Sequence, residues 1–128
     1  MSKLHICIIL ALAAVVGQFF ATPEQIEEHF RSAQRELAMG DFGAAIADYR
    51  AVLSYRSNLL IDVGRVEVRI GERRVKVHTA AKYQLGQAHR LLAEELWTRA
   101  DSLRRLGLPE EAEGNSARAL EELERAGR

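Results

Sequence analysis

The chain has 128 residues, 48% of them hydrophobic, and its eighteen basic side chains are balanced by eighteen acidic ones. Neutrality and an aromatic content of only 6% argue against a nucleic-acid surface, which needs positive charge and stacking rings, and no global field points to an anionic membrane. A single cysteine, Cys7, excludes an internal disulfide, and the length allows one small domain.

The first segment, residues 1–21, reads as a secretory signal peptide. Lys3 gives a basic start, Ile6 to Val16 is an unbroken apolar run, and small residues follow at Gly17 and Ala21. That order of charge, apolar stretch and small residues is the signal-peptide pattern. A membrane span needs about 20 apolar residues, so the run is short for one. The expectation is an exported protein, periplasmic or secreted, cleaved near Gly17 or Ala21. An uncleaved membrane anchor is the alternative, and only in that case is a membrane a partner.

The remaining domain, residues 22–128, opens on Thr22-Pro23-Glu24-Gln25. Threonine caps a helix, proline suits its first position, and early glutamates favour the positive end of the dipole. Ile26, Phe30, Ala33 and Leu37 recur at steps of three and four and form one apolar face. Gly40 ends this helix and Asp41 caps the next, whose face is Phe42, Ala45, Ile46, Tyr49, Val52 and Leu53.

The middle of the chain supports two readings. Val63, Val66, Ile70 and Val77 keep helical spacing, and a helix from about Arg73 to Leu106 follows from the unbroken pattern Ala81, Leu85, Ala88, Leu92, Leu96, Ala100 and Leu103. Against this, Val66, Val68 and Ile70 alternate with charges, as do Val75 and Val77 after Gly71 and Glu72, which is a hairpin signature. The helical reading is favoured because an isolated two-stranded hairpin is marginal in water; a β-hairpin at about residues 65–78 is the alternative.

The C-terminal end repeats the N-terminal one. Ala100, Gly107, Ala112, Ser116, Ala119 and Leu120 stand at the offsets of Ala33, Gly40, Ala45, Tyr49, Val52 and Leu53, and Gly107 lies 67 residues after Gly40. Between them Gly64 and Gly71 repeat the seven-residue step, but Lys76 takes the place of Ala45 and Ala112. The run Gly40-Asp41-Phe42-x-x-Ala45-Ile46-x-x-Tyr49 and the turn Leu106-Gly107-Leu108-Pro109-Glu110-Glu111-Ala112 resemble the tetratricopeptide (TPR) repeat, a helical hairpin of about 34 residues. The resemblance spans about residues 25–126, strongly at both ends and weakly between. It implies an all-α fold of stacked antiparallel helical hairpins that binds a partner protein or peptide and carries no catalysis and no cofactor.

The residues themselves agree with that class. His78 and His89, eleven apart on a helix, are about 16 Å from one another along its axis, too far to share a metal ion. The serines lack a glycine elbow and the glycines form no phosphate loop, so no motif is tied to an enzymatic mechanism. The candidate partner-binding residues are Arg65, Arg69, Arg73 and Lys76, which share one stripe if the middle is helical. They lie in a segment of net positive charge, while residues 94–128 hold nine acids against six bases. Trp97, beside Leu96 and Ala100, is expected on the core face, buried or half-buried. The expected function is an exported protein-interaction or adaptor module. A self-associating helical bundle, with a homodimer as its simplest form, is the alternative.

Overall fold

The computed structural model describes residues 2–8, 21–59 and 61–127. Residues 3–8 are helical; Gly17 and most of the apolar run Ile6 to Val16 lie outside the described residues. Among those described, no helix is long and apolar enough to cross a membrane.

Helix α1 (Pro23–Met39) begins as its sequence dictates. Thr22 and Gln25 form a reciprocal capping box, with Pro23 in the first turn. The helix ends at Gly40, whose φ of 80° is the left-handed conformation that closes its last carbonyls. Asp41 then caps α2 (Phe42–Ser54) by accepting from the Ala44 N–H. Ala33 and Ala45 are wholly buried in the core these helices share, and Phe30 packs edge-on against Tyr49 with centroids 5.7 Å apart.

The middle of the chain is a β-hairpin, contrary to the favoured helical reading. Strands β1 (Glu67–Ile70) and β2 (Arg73–Lys76) pair antiparallel, with Val68 opposite Val75 and Arg69 opposite Arg74. Gly71 at φ 60° turns the chain, and among the described residues no non-glycine has positive φ. Glycine at the first central position followed by an ordinary residue is the turn whose twist suits two-residue hairpins. The objection that a lone hairpin is marginal fails because this one is not alone. Val68, Val75 and Ile70 lie over the core of α1, α2 and the start of the next helix, and a buried aliphatic side chain contributes about 2 kcal/mol. Val63, Val66 and Val77 are core residues as their spacing predicts, but strand alternation and a short 3₁₀ turn at Val63–Arg65 put them there.

Helix α3 (Val77–Arg105) follows directly, with the Val77 N–H donating to the Val66 carbonyl at 2.8 Å. Its first half closes the larger core through Val77, Ala80 and Ala81. Its second half runs on to pair with α4 (Pro109–Ala126) across the Gly107 turn, where φ is 77°. That pair has its own smaller core of Ala93, Leu96 and Ala119 with Leu92 at its edge. The fold is therefore mainly all-α, two antiparallel helical hairpins bracketing one small β-hairpin.

Candidate functional site

Three of the four basic residues expected on one helical stripe lie on the hairpin, and the fourth precedes it. Arg65 is in the 3₁₀ turn beside Asp62, Arg69 is on β1, and Arg73 and Lys76 are on β2. Strand alternation sends Glu67, Arg69, Arg74 and Lys76 to the outer face and places Arg73 with Ile70 on the other. The stripe does not exist, because its spacing of four serves a helix and the chain here has a period of two. Nor do its charges pair with the acidic C-terminal helices in any ion pair among the described residues.

Two surfaces have more content. The first follows from the 67-residue offset between the two ends of the chain. Trp97 and Leu120 lie 67 residues after Phe30 and Leu53, the offset that relates Gly107 to Gly40. Phe30 is 0% exposed, within a core that the hairpin and the start of α3 close. Trp97 is 47% exposed, Leu120 56% and Leu123 45%. Arg104, seven residues beyond Trp97 on α3, donates to the Ser116 hydroxyl at 2.8 Å. That bond fixes the Trp97 flank of α3 on the side of Ser116, and Leu120 and Leu123 follow Ser116 by four and seven residues on the same flank of α4. Trp97 is thus at the half-buried end of what its neighbours lead one to expect, on the flank rather than within the core. It stands at the offset of Phe30, which the first helical pair buries, and among the described residues nothing covers it to the same degree.

The second surface is a cleft of about 540 Å³ where α2, the middle of α3 and the end of α4 meet, lined by Arg50, Leu53, Lys82, Leu85, Gly86, His89, Arg125 and Ala126. Gly86 permits the meeting: a Cβ there would lie 3.3 Å from the Ala126 carbonyl oxygen. At the wall, His89 is 3% exposed and its Nδ1 is 2.5 Å from Glu122 Oε2, while Arg125 donates to Glu122 Oε1 at 3.1 Å. A carboxylate bonded on both oxygens is held rigidly and, in turn, holds the imidazole. The signal for this pair was present in the spacing. His89 stands four residues before Ala93, and Glu122 three after Ala119, which places both on the buried seam of their helices.

A larger opening of about 630 Å³ beside His29 and Tyr55 is lined by Ala51, Ser54, Arg56, Ser57 and Asn58 as well. His29 Nδ1 and the Tyr55 hydroxyl are 2.8 Å apart, and burial pushes the Tyr55 hydroxyl up from its usual pKa, which makes it a poor nucleophile. Deeper in the α1–α2 pair, the Tyr49 hydroxyl and Glu36 Oε2 have no hydrogen-bond partner among the described residues. Burial and the Glu36 charge push Tyr49 up to about 12. Glu36 is itself raised, first by burial and then by the neighbouring Asp48 carboxyl and the Asp41 charge. Among the described residues no three His, Cys, Asp or Glu side chains gather as a metal ion requires.

Comparisons with protein-family models, with curated proteins and with solved structures found no match to this chain.

Proposed function

We propose that this chain is an exported, TPR-like protein-interaction module that docks a helical segment of another polypeptide against the Trp97–Leu120–Leu123 face. One observation carries the reading. At the same offset in the first helical pair, Phe30 is wholly buried in a core to which the first turns of α3 contribute Val77, Ala80 and Ala81, a small-residue apolar surface. The second pair presents Trp97 there, 47% exposed, so its partner is a helix with small apolar residues on one side. Aromatic side chains at the centre of such a patch supply much of the binding energy, by their large area and few rotors. Export rests on Lys3, the apolar run and the small residues after it. The module proposed is a binding one, without enzymatic activity or cofactor, as the TPR resemblance implies.

The test is residue-specific photo-crosslinking in the native host, with the reactive side chain placed in turn at Trp97, Leu120 and, as control, Met39 on the α1–α2 turn. Crosslinks from 97 and 120 to a helical segment of one other protein, lost in the Leu123→Arg variant, support the reading. Crosslinks only to a second copy of the chain would replace it with the self-associating bundle. Equal yields at all three positions would remove the docking face.

A further inference from the structure

Independently of that face, the geometry points to the cleft between α2, α3 and α4 as a binding site for a phosphate monoester, the phosphoryl group held by Arg50, Lys82 and Arg125 and an apolar body laid on Leu53, Leu85 and Gly86. Three helices each deliver a cation to one opening. Arg125 is tied to Glu122, but Arg50 and Lys82 have no ion pair or hydrogen bond among the described residues. Two cations that line one opening without an acid partner of their own repel one another, so their arrangement is relieved by an anion.

The charge balance selects the class. Arg50, Lys82 and Arg125 against Glu122 leave a surplus of two positive charges in the cleft before any proton on His89 is counted. A carboxylate would cancel one of them, whereas a phosphate monoester near neutral pH carries close to two negative charges. It also offers three acceptor oxygens, enough for bonds from separate helices. The partial negative charge of the α4 C-terminus at Ala126, about half a unit, lowers the surplus without removing it. His89 adds one more polar group. With Nδ1 taken by Glu122, Nε2 is the ring nitrogen left for a ligand. The volume of about 540 Å³ falls in the range of small-molecule sites, and its mixture of apolar floor and a few placed charges is their usual composition. Gly86 matters again: any side chain there would fill the floor and push away Ala126.

Titration calorimetry of the full chain with phenyl phosphate and with benzoate tests the assignment. Phenyl phosphate is expected to bind saturably at one site, about tenfold or more tightly than benzoate, since each charge-assisted bond is worth roughly that factor. In amide spectra the resonances of Gly86 and Ala126 should shift with the same saturation. Arg50→Ala with Lys82→Ala should weaken binding by at least about tenfold, and Arg74→Ala, on the outer face of the hairpin, should leave it unchanged. Both altered positions are exposed, so an unchanged circular dichroism spectrum confirms folding in each variant. Absence of saturable phenyl phosphate binding, equal binding of benzoate, or equal loss in Arg74→Ala would each overturn the site.

Discussion

Tyr49 shows what a single side chain costs this fold. Its ring is wholly buried against Phe30, while its hydroxyl lacks a partner, and an unsatisfied buried polar group costs about 1–3 kcal/mol. Tyr49→Phe keeps the ring and removes the orphan, so it should raise stability by about 1 kcal/mol, a few degrees in a thermal melt. A lowered midpoint would mean that the hydroxyl is bonded after all. Glu36, one helix away, gives a pH signature. Its carboxyl in the folded chain titrates above its ordinary value of 4.5, so the folded state holds the proton more tightly than the unfolded one. The stability this contributes is full below pH 4.5 and is lost as the pH rises through the raised value. Glu36→Gln should therefore melt higher than the parent at pH 7, with the gain shrinking towards pH 4. A gain that is equal at both pH values would show that the carboxyl titrates normally. Neither effect was legible in the sequence: a tyrosine on an apolar face announces burial, but whether its hydroxyl meets a partner depends on what the neighbouring helix presents at that height.

At the scale of elements, the helix boundaries are legible in the sequence, and the middle segment takes the hairpin alternative rather than the favoured helix. Thr22, Gly40, Asp41 and Gly107 act locally, through caps and left-handed turns, and local chemistry is what sequence spacing records. The hairpin turned on a tertiary fact. Its alternating valines were visible, but their stability comes from a core that α1, α2 and α3 assemble beneath them. Lys76 explains why this copy departs from the helical pattern. At the position where Ala45 and Ala112 are wholly buried it would force a charge between helices, whereas at the end of β2 it is exposed. Two substitutions test these assignments. Gly71 meets nothing within 4 Å of a new Cβ, so Gly71→Val should cost only the left-handed backbone penalty, about 1–2 kcal/mol, read as a lower denaturation midpoint. No loss would mean that the turn is not left-handed. Ala112→Arg places a charge at a wholly buried position and should cost about 3 kcal/mol or more. Because the α3–α4 pair has a core of its own, amide exchange should speed first in α4, with β1 and α1 still protected. Uniform loss of protection would show a single cooperative core.

For the whole molecule, the account depends on a comparison between its two ends. In the first helical pair Phe30 is wholly buried and Leu53 half-buried; at the same offsets in the second, Trp97 is 47% and Leu120 56% exposed. The 67-residue offset is legible in the sequence, but how far Trp97 is buried is not, because a spacing of one residue from Leu96 and three from Ala100 says nothing about what covers that flank. The basic stripe failed for the converse reason: it took its meaning from a helix that the chain does not form. Trp97 is the only tryptophan, so its fluorescence reports this face without interference. The most direct measurement is acrylamide quenching of the folded chain in dilute solution. An open face predicts red-shifted emission and quenching about half as efficient as in the denaturant-unfolded chain, in line with its 47% exposure. Blue-shifted emission with almost complete protection at the same dilution would show that the flank is already covered, and would contradict the docking face itself.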